Sequence, residues 1–265
     1  MAGSGTERDT IDWLLPDWPA PAAVRALSTT RAGGVSRGPW GLADGGAAGL
    51  NLGARCADDD EAVRENRRRL ARALPAEPVW LEQVHGVEVF DADSRAPGGS
   101  CTLPRADAAI TTRRGTVLAV LTADCLPVLL ADAGGTAVGI AHAGWRGLAA
   151  GVLERTVAAL ERTGSGRGWL AWLGPAIGPS RFEVGDDVRD AFTRDDAAAA
   201  RAFVPAGTPG KWFADLFWLA RRRLARAGVT QVHGGGLCTF SDAQRFYSFR
   251  RDRETGRMAS LIWLD

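Results

Sequence analysis

The chain has 265 residues, 46% of them hydrophobic, and a net charge of +1 from 32 basic and 31 acidic side chains. That length and apolar content can bury a sizeable core. The even charge gives no reason to expect nucleic-acid binding or attachment to an anionic membrane surface.

Met1–Thr10 is polar, lacks a basic stretch followed by an apolar run, and is expected to be a flexible N-terminus rather than a signal peptide. The remainder, 11–265, reads as one domain. A glycine-rich run from Ala32 to Gly53 is expected as loop. Asp59 to Leu74 reads as a helix, with an acidic start, Val63, Leu70 and Leu74 at helical spacing, and Pro75 as the stop. Short strands are expected at Val79–Leu81 and Val87–Phe90, on either side of a His85-Gly86 turn. Buried strands follow at Thr116–Thr122, Pro127–Ala131 and Thr136–Ala143, where β-branched and apolar residues run together. A helix is expected from Gly147 to Thr163, with Leu148, Val152, Leu153, Val157 and Leu160 on one face. Trp169–Leu173 reads as a strand, Phe213–Ala227 as a helix closed by Gly228, and Ser260–Trp263 as a last strand. The order has no regular βαβ rhythm, so one α+β domain is the expected fold class. The longest apolar stretch, Val117–Ala131, is too short and too polar to span a bilayer.

Four cysteines, Cys56, Cys101, Cys125 and Cys238, are too scattered for a disulfide framework and read as thiols in a reducing, cytoplasmic setting. Of only three histidines, two stand in glycine-flanked turns, His85 in QVHG and His142 in HAGWRG. Between them, Cys125 follows Asp124 at the junction of two expected strands. Separations of 40 and 17 residues are too long for a zinc-finger knuckle and suit ligands gathered from separate loops. Two imidazoles and a thiolate leave a fourth tetrahedral position open, where Zn²⁺ lowers the pKa of a water to about 7. By spacing alone, a histidine in a strand-end turn is more often structural than a ligand, and Cys125 reads by default as a small buried hydrophobe. Asp124 is the candidate acid/base. Arg146, in a turn that opens a helix, is the first candidate anion site, with Arg31 and Asn51 behind it. His233, in a VHGGG stretch, is a candidate fourth ligand or a turn residue. Cys56, Cys101 and Cys238 read as structural. The segment Phe246-Tyr247-Ser248-Phe249 before Arg250-Arg251 suits base stacking and core packing equally. No dinucleotide or P-loop signature, deaminase HxE/PCxxC pair or GxSxG elbow is present.

With TTR and GGVS around Arg31, NLG at Asn51, Glu65-Asn66-Arg67, QVHG, TADCLPVLL, HAGWRG, GPAIGP, Phe182-Glu183-Val184, Cys238-Thr239, YSFRRD and Arg257, the sequence resembles the YfiH family, also called the multicopper polyphenol oxidase or laccase-domain family. The resemblance implies a four-layer α/β/β/α sandwich with mixed sheets and zinc on His85, Cys125 and His142. It also implies purine nucleoside phosphorolysis of adenosine, inosine and methylthioadenosine, with adenosine deaminase activity. Purine nucleosides and phosphate would be the partners, and the protein a monomer or homodimer. One departure is Arg55-Cys56-Ala57-Asp58, where family members often carry His-Val-Gly-Asp.

Three other readings compete. A single copper on the same residues would suit a phenol oxidase. A four-copper laccase needs roughly ten histidines, and this chain has three. Cys125 with His142 would suit a cysteine hydrolase. A closed fourth ligand would suit a structural zinc in a non-enzymatic protein.

Overall fold

A computed structural model describes residues 13–94, 102–164 and 168–265; the expected flexible terminus Met1–Thr10 and Cys101 lie outside them. In chain order, the first half carries β1 (Val24–Ser28), β2 (Ala32–Ser36), α1 (Asp60–Ala71), β3 (Val89–Asp91), β4 (Ala108–Thr111), β5 (Leu118–Thr122), β6 (Leu126–Asp132) and β7 (Val138–Ala143). The second half carries α2 (Trp145–Ala150), α3 (Val152–Glu161), β8 (Trp169–Leu173), β9 (Glu183–Gly185), α4 (Asp186–Thr193), β10 (Phe203–Pro205), β11 (Lys211–Ala214), α5 (Leu216–Arg226), β12 (Gln231–Gly234), α6 (Phe249–Asp252) and β13 (Met258–Leu264).

Every residue of β6 and of β7 is buried. Near-continuous apolar strands of this kind belong in a sheet covered on both faces. The alternation is visible in the packing: Leu126, Val128 and Leu130 join one core, while Leu129 and Ala131 join the other. The six-stranded sheet runs β12-β8-β6-β7-β4-β3, and its mixed directions follow from parallel β12/β8 and β3/β4 pairs among antiparallel neighbours. On one face it packs α2, α3 and α5. Its other face meets the three-stranded sheet β1-β13-β5 through Val120, Ile262 and Leu264. That second sheet turns Leu27, Ala119 and Leu261 outward onto Leu70 of α1. The result is the expected four-layer α/β/β/α sandwich. A small sheet, β10-β11-β9, sits beside α4.

Local chemistry accounts for the element ends and for three departures from expectation. Asp59 caps α1 by accepting from Ala62 N at 2.8 Å. The helix expected over Gly147–Thr163 is two helices, because Gly151 at φ 97° breaks it between α2 and α3. Asp215 caps α5, accepting from Trp218 N at 2.9 Å, so that helix begins after Phe213, which is in β11. Part of the expected glycine-rich loop is β2, packed on α1. A Cβ on Gly34 would lie 2.2 Å from the Gly49 carbonyl, so glycine there serves close approach rather than flexibility. No helix among the described residues is long and apolar enough to cross a membrane.

Candidate metal centre

Two connections and a strand end bring the site together. Cys125 follows the turn between β5 and β6, and His142 lies near the end of the neighbouring β7, across from Pro127. His85 arrives on the QVHG loop, which the structure explains residue by residue. The Gln83 side chain pairs with β5 as a strand residue would, donating to Leu121 O at 2.8 Å and accepting from Leu121 N at 2.7 Å. The next three backbone N–H groups, of Val84, His85 and Gly86, all donate to the Asp107 carboxylate at 3.0, 2.9 and 2.7 Å. His85 holds φ 61° to make this wrap. That left-handed backbone is strained in a non-glycine residue, and here the buried carboxylate holds it.

Asp107 also fixes the second histidine. Its Oδ1 accepts from His142 Nδ1 at 2.8 Å, and its carbonyl accepts from His142 N at 2.7 Å. The carboxylate is fully buried. Burial alone would raise its pKa, but the bond from His142 and those from Gly86 and Val84 outweigh burial and hold it at about 2. With Nδ1–H committed to Asp107, the other ring nitrogen of His142 is left to ligate, the carboxylate–histidine arrangement common behind metal sites.

The ligand atoms of His85, Cys125 and His142 all lie within 4.8 Å of one another, with Cys125 Sγ 3.9 Å from His85 Nε2. The two imidazoles meet edge-to-face at 4.8 Å. Zinc takes nitrogen and sulfur at about 2.0–2.3 Å, so the three atoms need close by only roughly an ångström to share an ion. Gly144 makes room for them: a Cβ there would fall 3.0 Å from both Cys125 Sγ and His85 Cδ2. Gly147 lets α2 press on the loop, since its Cβ would stand 2.7 Å from Gly86 O. Burial would push the Cys125 thiol up, but His142 and His85 overcome it and draw it down into thiolate range. His142 is lifted in return, against its own burial, by Cys125 and Asp107. This donor set fits a borderline-soft cation such as Zn²⁺.

The trio opens onto a cavity of about 420 Å³. Its walls include the apolar side chains Trp80, Leu81, Leu121 and Phe249 and the polar Arg67, Arg257 and Cys56. Phe249 is thus the one member of the aromatic segment at this wall, while Phe246 and Tyr247 are core.

The other candidates from sequence stand elsewhere. Asp124, expected as acid/base, does not line the cavity. Its Oδ1 accepts from Thr239 Oγ1 and its Oδ2 from Arg250 N, both at 2.6 Å, so it pins the turn that presents Cys125. Arg31 is buried, and its guanidinium donates to the carbonyls of Gly41, Leu42 and Ala243. Asn51 is buried, and its Oδ1 accepts from Gly53 N and Arg257 N. Arg146 is exposed, stacked on Trp145, and outside the cavity. His233 is on β12, paired with Trp172 rather than with the trio. Cys238 accepts from Gly178 N at 3.1 Å, whereas Cys56 faces the cavity. Asp107 escaped the sequence reading. Its one signal was a carboxylate inside the apolar run Ala106–Ile110, which burial forces to find partners.

A family model described as multi-copper polyphenol oxidoreductase laccase matches residues 25–265. The chain is 56% identical over 252 residues to purine nucleoside phosphorylase PA4543 of Pseudomonas aeruginosa, covering 95% of this chain and 98% of that protein. It is 51% identical over 253 residues to purine nucleoside phosphorylase YfiH of Escherichia coli, with the same coverage. Among solved structures, Neisseria meningitidis NMB0706 matches with TM-score 0.85 and 48% identity over 96% of this chain and 99% of that one. YlmD of Geobacillus stearothermophilus matches with TM-score 0.81 and 33% identity over 95% and 96%.

Proposed function

The chain belongs to the YfiH family, and from that premise we propose that it is a zinc-dependent purine nucleoside phosphorylase acting on adenosine, inosine and S-methyl-5′-thioadenosine, with adenosine deaminase activity at the same site. The observation that carries the reading is the shared space: His85, Cys125 and His142 face one cavity of about 420 Å³ with Trp80, Leu121 and Phe249. That size suits a small polar ligand with an aromatic ring. The names of the two relatives at 51–56% identity support the reaction class.

In phosphorolysis a phosphate oxygen bonds to C1′ as the N-glycosidic bond breaks. The bonding pair leaves with the purine, which takes up the proton that phosphate gives up, and ribose 1-phosphate is the other product. The apolar wall of Trp80, Leu81, Leu121 and Phe249 would flank the base and exclude water. His85, Cys125 and His142 would hold the zinc, and Asp107 would orient His142 behind it. A zinc ion there supplies Lewis acidity and a water of lowered pKa. Incubation with inosine and with adenosine, with and without phosphate, tests the reading. Phosphate-dependent free purine with ribose 1-phosphate supports phosphorolysis, and inosine formed from adenosine supports deamination. Oxygen uptake on a phenol by copper-loaded protein, without purine release, would replace both with the oxidase reading.

A second reading has one observation in its favour. His142 lies between Asp107 and a Cys125 thiol drawn into thiolate range, the arrangement of an activated nucleophile. One zinc per chain bound through Cys125 would occupy that nucleophile and exclude this reading.

A further inference from the structure

We propose that Arg67 and Arg257 form the oxyanion subsite of this cavity and take the phosphate; the inference rests on the phosphorylase reading. Both side chains line the cavity with the metal trio. Each guanidinium is fastened along one edge by backbone carbonyls. Arg67 Nε and Nη2 donate to Leu52 O at 3.0 and 2.9 Å, while Arg257 Nη1 donates to Thr255 O and Gly256 O, both at 2.9 Å. The remaining N–H groups, on Arg67 Nη1 and on Arg257 Nε and Nη2, meet no acceptor among the described residues. Neither arginine has a carboxylate within ion-pair reach there, whereas Arg55, also at this cavity, is tied to Glu82 at 2.9 Å.

The backbone brings the two together. Leu52, which holds Arg67, donates its N–H to Arg257 O at 3.1 Å. Asn51 Oδ1 accepts from Arg257 N at 2.9 Å, so Asn51 positions the arginine rather than touching the anion. A Cβ on Gly53 would lie 2.8 Å from Arg257 Cγ and 2.6 Å from Cys56 Sγ, so glycine is what lets Arg257 pass beside Cys56. Burial pushes the Cys56 thiol up despite the pull of Arg257 and Arg67, and a neutral thiol adds no competing anion. Arg67 lies over the Trp80 ring at 4.5 Å, which fixes the plane of its fork. Glu77 acts on Arg67 through space without forming an ion pair with it, and two pre-set guanidinium edges with N–H groups still free of a direct acceptor match a tetrahedral oxyanion such as phosphate.

The test titrates zinc-loaded protein with inorganic phosphate by calorimetry, and separately measures inosine cleavage across phosphate concentrations. Arg257→Gln and Arg67→Gln are expected to weaken phosphate binding and raise its KM by about ten- to a hundredfold, the loss of charge-assisted bonds. The inosine KM should stay within about twofold, Arg257→Lys should fall between, and the exposed Arg155→Gln should match the parent. Arg257→Lys also serves if either glutamine variant fails to fold. Phosphate binding that weakens in the variants while no ribose 1-phosphate ever forms would keep the subsite and remove the phosphorylase reading. Phosphorolysis with unchanged phosphate KM in the folded variants would remove the subsite and keep that reading. No phosphate binding to the parent protein would remove the subsite outright.

Discussion

Replacing Asp107 with Asn changes one atom and removes the group on which two of the three candidate ligands, His85 and His142, depend. Asp107 Oδ1 accepts from His85 N and His142 Nδ1, and Oδ2 accepts from Val84 N and Gly86 N. An asparagine amide nitrogen on either side meets two donors. Two buried N–H groups then lose their acceptor, at about 1–3 kcal/mol each, so the expected loss is about 2–6 kcal/mol. A carboxyl held at about 2 rather than 3.8 gives a similar scale, about 2 kcal/mol in favour of the charged form. The sign follows from the lowered pKa: this stabilisation is present above about pH 4 and is lost as pH falls toward 2. Asp107→Asn should therefore melt several degrees lower at neutral pH and lose part of the acid dependence below pH 4. Zinc affinity, measured by chelator competition, should drop about ten- to a hundredfold through the misoriented His142. Scanning calorimetry and the competition assay read both effects. Unchanged melting and unchanged zinc affinity would refute the carboxylate's role as the support behind the metal.

Three further outcomes are expected. Gly144→Ala places a methyl 3.0 Å from Cys125 Sγ and His85 Cδ2, so it should lose most metal binding while the far-UV circular dichroism is kept; full zinc occupancy would refute the close packing. In metal-free protein at pH 7, iodoacetamide should label Cys125 about tenfold faster than Cys56, and zinc should protect it; equal rates by peptide mass spectrometry would show that the histidines do not stabilise the thiolate. Ala57 holds φ 60°, a backbone costing an L-residue about 1–2 kcal/mol, so Ala57→Gly should stabilise by about 0.5–1 kcal/mol and raise the melting temperature by about 1–4 °C. A lower melting temperature would contradict it.

The sequence exposed the parts of this protein that repeat a simple rule. The apolar runs of β6, β7 and β8 and the faces of α1 and α3 follow hydrophobic period and burial, and they stand near where that period places them. That His85 and His142 meet Cys125 was legible because histidine is scarce and sits in glycine-flanked turns. What stayed hidden depends on contacts distant in sequence. Nothing near Asp107 announces that it will collect N–H groups from a loop more than 20 positions earlier and a histidine 35 positions later. Among so many arginines, local pattern favoured Arg146 beside the motif. Only the fold shows that Arg146 stacks on Trp145 outside the cavity while Arg67 and Arg257 line it. Glycine misled twice, at Gly34, where it permits close packing within β2, and at Gly151, where it breaks a helix.

Under the proposed function, a metal held by His85, Cys125 and His142 serves purine nucleoside phosphorolysis. Its most direct test follows ribose 1-phosphate formation from inosine while zinc is returned stepwise to chelator-stripped protein. Almost no product is expected without metal, then a rise that saturates at one zinc per chain, and neither zinc binding nor product with Cys125→Ser. Stripped protein that forms ribose 1-phosphate as fast as zinc-loaded protein would contradict it.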